Sequence, residues 1–140
     1  MNDKYKIVLN YIKDLSVEIS DPETLITSRN HIAKYEMKVN ISSKPLKLKM
    51  LEVTTKLTYA DPTKNKHKAF FEIVYATVID ILDSQLKKKD LEKIILCDLQ
   101  IEIYPELEKK FLTILRNSGF PSLEFGQKID FEKLYKERLN

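Results

Sequence analysis

From Ile7 to Ile19 the chain follows a period-two alternation with one apolar face. The odd positions are Ile7, Leu9, Tyr11, Lys13, Leu15, Val17 and Ile19; the even ones include Asn10, Asp14, Ser16 and Glu18. A period of two is the spacing of a strand, whose successive side chains point to opposite faces. A strand this long, against a usual length of about 5–6 residues, belongs to a broad sheet with one apolar face. The pattern places Asp14, Ser16 and Glu18 together on the other face.

Three further strands follow. Ala33, Tyr35, Met37, Val39 and Ile41 share one face, and Lys34, Glu36, Lys38 and Asn40 the other. Ser20-Asp21-Pro22 ends the first strand, and a loop is expected from there to about Asn30. Ser43-Lys44-Pro45 reads as a turn. Leu46, Leu48 and Met50 then alternate, but the phase moves by one residue to Leu51, Val53, Leu57 and Tyr59, which predicts a bulge near Met50-Leu51. Asp61-Pro62-Thr63-Lys64-Asn65 is a hairpin loop. The run from about Lys68 to Ile81 is apolar on both faces (Phe70, Phe71, Ile73, Val74, Tyr75, Val78, Ile79) and reads as a central strand. On it Phe70 and Glu72 share a face.

Helical spacing takes over afterwards, so the class is α+β. Asp90 suits the cap of a helix bearing Leu91, Ile94 and Ile95. Pro105 suits the first position of a helix reaching about Asn117, with Glu106 and Glu108 at its start and Arg116 at its end. Residues Leu99 to Ile103 fit either a short strand or a helix. Gly119 suits a left-handed helix stop, and Pro121 prevents the helix from resuming. Asp130 can cap a last helix whose stripe is Phe131, Leu134, Tyr135 and Leu139, with Ile129 and Leu134 spaced as a hydrophobic staple.

One domain covering residues 1–140 is expected at this length. Strands this long outrun what two or three short helices can cover, so the leftover apolar surface calls for another subunit or a client. The net charge of +3 is mild and comes from lysine, with Arg29, Arg116 and Arg138 the only arginines. The basic runs Lys87-Lys88-Lys89 and Lys64, Lys66, Lys68 lack interleaved aromatics and read as a solvated rim, so no nucleic-acid partner is expected. Cys97 is the only cysteine, which leaves no intrachain disulfide; set among Ile94, Ile95 and Leu96, it reads as a buried thiol. His31 and His67 have no partner at ligand spacing, and there is neither a glycine-rich phosphate loop nor a nucleophile elbow. No enzyme activity, metal or cofactor is expected. No apolar run approaches the length of a membrane span, which predicts a cytoplasmic protein.

Three segments carry a resemblance. Tyr11-Ile12-Lys13-Asp14-Leu15-Ser16-Val17-Glu18 resembles the first-strand signature of the SecB family, an aromatic–Lys–Asp–apolar–Ser–apolar–Glu string. Ala69-Phe70-Phe71-Glu72-Ile73-Val74-Tyr75-Ala76 resembles its fourth-strand segment, with Ala76-Thr77 where the family often has a glycine pair. Gly119-Phe120-Pro121 through Tyr135 resembles its closing block. The resemblance implies a four-stranded antiparallel sheet followed by two to three helices packed on one side, assembled as a homotetramer, a dimer of dimers. It implies an ATP-independent holdase that binds unfolded preproteins in apolar grooves and delivers them to the SecA motor, meeting the membrane only through the translocase. By motif match, motor docking falls on Asp14, Glu18, Phe70 and Glu72, and the client groove on Met37, Val39 and Ile41. The family is usually acidic, whereas this chain is basic. A SecB-like chaperone for a dedicated client such as an antitoxin, and a small α+β ligand-binding protein, are the alternative readings.

Overall fold

The computed structural model describes residues 3–126 and 128–138. Among these the sheet strands are β1 (Tyr5–Glu18), β2 (Glu36–Pro45), β3 (Met50–Ala60) and β4 (Phe70–Ile81). The helices are α1 (Pro22–His31), α2 (Lys88–Lys93), α3 (Leu99–Asn117) and α4 (Phe131–Arg138). All strand pairs are antiparallel, in the order β1-β4-β3-β2. The doubly apolar strand is therefore central, as its sequence predicts, and β1 and β2 are the edges.

Directly opposed residues share a face of an antiparallel sheet. Val53, Thr55, Leu57 and Tyr59 of β3 lie beside Phe71, Ile73, Tyr75 and Thr77 of β4, and all are buried. α3 covers this face with Leu99, Ile103, Leu107, Phe111 and Leu115, each almost wholly buried. Phe120 meets Phe71 edge-on, with ring centroids 5.5 Å apart, and Phe125 meets Tyr59 at 5.1 Å. One polar pin crosses the layer. Gln100, fully buried, accepts a bond from the Thr55 hydroxyl and donates to the Ile95 carbonyl. That carbonyl lies in a π-helical turn, Ile94–Asp98, which joins α2 to α3.

Several local expectations are corrected. Residues 20–30 are not a loop, because α1 forms there. Asp21 caps it, accepting from the Thr24 amide at 2.7 Å, and Pro22 opens it. α1 has no apolar stripe to betray it; its buried residues are Thr24 and Ser28, and Ser28 accepts from the Ala69 amide ahead of β4. β3 is not bulged at Met50-Leu51, and its pairing with both neighbours is regular. The phase change marks the β2–β3 turn instead, where Leu48 adopts a positive φ of 64° and Ser43-Lys44-Pro45 is still strand. Asp90 lies in the first turn of α2 rather than at its cap, which is Lys87. Pro105 lies inside α3, since Leu99 to Ile103 are helical and buried on one side. β1 does not keep its odd residues on one face, because its register shifts between Ile7 and Leu9 and again between Ile12 and Asp14.

The end of the chain follows its sequence. Asp130 caps α4, accepting from the Lys133 amide at 3.1 Å. Leu139, expected on its stripe, lies outside the described residues. Gly119 has φ +112°, and a Cβ there would sit 2.8 Å from Leu25 Cδ1 of α1. Its carbonyl accepts from Arg29 Nε at 2.7 Å. Backbone strain and crowding therefore both select glycine. Gly119→Ala is expected to destabilise the fold by about 1–3 kcal/mol, read as a lower urea midpoint at unchanged slope.

Candidate functional site

Two surfaces emerge, one on each side of the sheet. On the face away from α3, Asp14 lies opposite Val74, Ser16 opposite Glu72 and Glu18 opposite Phe70. The four residues Asp14, Glu18, Phe70 and Glu72 are thereby brought into one patch at the end of β1 and the start of β4. Asp14 and Glu18 are exposed, and Phe70 is half-buried. Glu72 is less free. Lys56 Nζ of β3 stands 3.7 Å from it, and the Thr58 hydroxyl donates to it at 3.4 Å. The patch thus combines two open carboxylates, one partly neutralised carboxylate and an aromatic ring, a combination suited to a basic partner that carries some apolar surface.

Beside this patch lies a cluster that the sequence does not announce. Glu52 of β3 is 8% exposed although it is charged and on the solvent side. Tyr11 donates its hydroxyl to Glu52 Oε2 at 2.7 Å, and Lys13 Nζ pairs with Oε1 at 2.8 Å. Tyr11 sits opposite Ala76 of β4, and Glu52 opposite Val78, so the contacts pass over β4. Ala76 is fully buried and Val78 is 8% exposed on this otherwise open face. The bond from Lys13, then that from Tyr11, holds the Glu52 carboxyl below its ordinary value. Neither bond has a signature in local spacing, because the partners lie on the first and third strands and meet only through sheet order.

On the helix side, Met37, Val39 and Ile41 of the edge strand β2 are half-buried and face α4. Three contiguous depressions run along this seam. The first, about 410 Å³, lies between Met37, Val39, Ile129 and Leu134. A narrower one of about 200 Å³ lies between Val39, Ile41, Leu96 and Phe131. The third, about 390 Å³, lies between Ile41, Ser43, Ile95 and Tyr135. Their shared residues join them into one apolar-floored groove rimmed by Lys133, Glu137 and Arg138. The expected β2 residues are therefore together. The opposite wall comes from Leu96 and α4, whose apolar residues carry no local sign that they pack beside β2.

Among the described residues, no reactive chemistry gathers elsewhere. Cys97 is 1% exposed, and burial pushes its thiol up from the ordinary value. His67 lies 3.9 Å from Glu23 at the surface. Among the described residues no group of three or more His, Cys, Asp and Glu side chains could hold a metal ion, and no helix is long and apolar enough to cross a membrane.

The family model described as "Preprotein translocase subunit SecB" matches residues 1–140. The chain belongs to the SecB family. A "Putative protein-export protein SecB" from Pelagibacter ubique (strain HTCC1062) is 44% identical over 140 residues, covering 100% of both chains. The "Protein-export protein SecB" of Bradyrhizobium diazoefficiens is 24% identical over 133 residues, which is 95% of this chain and 81% of that one. Among solved structures, the fold is similar to the Mycobacterium tuberculosis Rv1957 SecB-like chaperone, in complex with a ChAD peptide from the Rv1956 HigA1 antitoxin. That likeness has a TM-score of 0.65 at 10% identity and covers 89% of this chain and 91% of the other. SecB-family proteins are chaperones of protein export rather than enzymes, and the family implies binding of unfolded clients.

The Glu52 cluster carries a pH signature. A carboxylate whose pKa is depressed on folding adds stability that is present above the unfolded value and lost as pH falls through the folded one. Relative to the ordinary 4.5, the Glu52 contribution is whole at neutral pH and disappears on acidification below that value. Urea midpoints measured from pH 7 downward should fall less steeply for Glu52→Gln than for the unaltered chain. Parallel acid limbs would show that the cluster does not contribute.

Proposed function

We propose that this single domain is an ATP-independent holdase of the cytoplasm. It takes unfolded preproteins along the groove lined by Met37, Val39 and Ile41 and delivers them to the SecA motor docked at Asp14, Glu18, Phe70 and Glu72. The observation that carries the reading is the convergence of those four residues on one face, opposite the groove. A client and the motor can then be engaged at once without competing for surface. Extended apolar binding spreads modest affinity over many client residues without sequence preference, and Met37 supplies an adaptable contact.

Assembly as a dimer of dimers is part of the proposal, and β1 supports it. It is an edge strand of 14 residues with Leu9, Ile12, Leu15 and Val17 exposed by 48, 43, 42 and 38%. A long apolar edge of this kind aggregates unless it is paired. A second reading is a SecB-like chaperone dedicated to one client such as an antitoxin; the M. tuberculosis SecB-like chaperone is in complex with a peptide from the HigA1 antitoxin. This reading is favoured by the net charge of +3 and by Lys56 beside Glu72, which weaken attraction for a basic motor segment.

Gel filtration with light scattering should return the mass of four chains; a monomer would sink the assembly. Charge reversal at Asp14 and Glu18 should weaken binding of the SecA C-terminal segment about tenfold or more while leaving client holding unchanged. Failure of that segment to bind the unaltered chain would favour the dedicated-client reading.

A further inference from the structure

β2 and β3 stay paired as far as Pro45 and Leu51, and the Leu46 amide donates to the Met50 carbonyl at 2.9 Å. The chain therefore reverses within Lys47, Leu48 and Lys49. A three-residue hairpin loop of this kind holds one residue in the left-handed region, where glycine or asparagine is favoured. Here that residue is Leu48, and among the described residues no other non-glycine has a positive φ. Leu48 is also 92% exposed, so packing within the chain offsets neither the strained backbone nor the wetted side chain. A leucine that breaks both rules points to a contact outside the chain.

The surroundings identify that contact. From Asn40 to Leu51 the charged residues are Lys44, Lys47 and Lys49, with no acid among them, and all three are exposed. The Lys49 carbonyl accepts from the Ile81 amide at 2.9 Å, which ties the turn to the end of β4. The next residue, Leu82, is 50% exposed, and its amide donates to the Lys4 carbonyl. The acids at this end stand beside cations or amides of their own. Asp3 adjoins Lys4, Asp80 lies opposite Lys6, Asp83 accepts from the Gln85 amide, and Glu52 takes the bonds of Tyr11 and Lys13. An apolar tip collared by lysines suits the interface of an anionic bilayer: the leucine enters the acyl boundary, while lysine stems lie along it and their ammonium groups meet phosphates. A nucleic-acid backbone would satisfy the lysines but leave the leucines wet. The tip also stays open in the proposed assembly, because β4 and β3 separate it from the β1 edge.

We propose that the β2–β3 turn is a lipid-docking tip: Leu48, with Leu82 at the same end of the sheet, enters the surface of an anionic bilayer, and Lys44, Lys47 and Lys49 bind its phosphates. The third depression of the groove reaches Ser43, so docking holds one end of the client groove near the membrane. The resemblance brings the chain to the membrane only through the translocase, whereas this contact needs no motor and does not rest on the docking reading above.

The chain has no tryptophan, so Leu48→Trp puts a single indole at the tip. Its emission should shift to the blue on vesicles of mixed phosphatidylglycerol and phosphatidylcholine, but not on phosphatidylcholine alone. Ile26→Trp, at an exposed position on α1, should shift on neither. In flotation with the mixed vesicles, Leu48→Gly should lower the partition coefficient about tenfold, the loss of one inserted leucine. Lys47→Gln and Lys49→Gln should each lower it about fivefold, and added salt should weaken binding further. Leu48→Gly should at the same time raise the urea midpoint, because glycine relieves the positive φ. A leucine kept for the fold would do the reverse, so a lower midpoint with unchanged partition overturns the proposal. An unshifted indole at the tip on the mixed vesicles overturns it too. Binding that survives Leu48→Gly but not the lysine changes would mean adsorption by charge alone and would remove Leu48 from the contact. A smaller assembly mass for Leu48→Gly in light scattering would set the tip against another copy of the chain instead of lipid.

Discussion

Burial of the odd-numbered side chains of β4 beneath α3 is the interaction on which the other elements depend. Phe71, Ile73 and Ile79 are fully removed from water, as are Leu107, Phe111 and Leu115 facing them. Because strand side chains alternate, committing this face to the helices leaves the other one, with Phe70, Glu72 and Val74, to solvent and partners. The central place of β4 then makes edges of β1 and β2. From that single commitment follow the groove along one edge, the long apolar strand on the other, and an open face bearing Phe70 and Glu72.

Few polar side-chain contacts cross between the elements. Gln100 ties the π-helical turn to Thr55 of β3 from inside. Glu52 ties β1 to β3 from outside. The first lies beside a π turn that also buries Ile94, Ile95 and Cys97, and the second beside an edge strand whose apolar residues are only partly covered. Hydrogen bonds of fixed geometry supply a specificity there that non-directional burial does not. The closing block adds a third tie, since Gly119 both ends α3 and receives Arg29 from α1.

Much of this was legible in the chain. β4 could be recognised as central from its two apolar faces, α4 from Asp130, and the stop after α3 from Gly119 and Pro121. The chemistry of Asp14, Glu18, Phe70 and Glu72 was legible as parity on two strands and, through motif resemblance, as a SecB-like pattern. Other features were hidden for identifiable reasons. α1 buries Thr24 and Ser28 instead of an apolar stripe, so periodicity is blind to it. The phase change at Met50-Leu51 looks the same whether it comes from a bulge or from a turn. The two bulges of β1 leave no net change of phase, because an even number of exchanges restores it at the far end; only Val8, Ile12 and Lys13 depart from the alternation near them.

The sequence by itself determined which side chains alternate, where helices can start and stop, and which family the pattern resembles. These are local matters, settled by backbone preference and by spacing along the chain. Only the tertiary structure decided which face each residue of β1 presents and which wall completes the groove opposite Met37, Val39 and Ile41. Both depend on contacts between segments far apart in sequence, β1 with β4 and α4 with β2. No local spacing encodes the sheet order that brings them together.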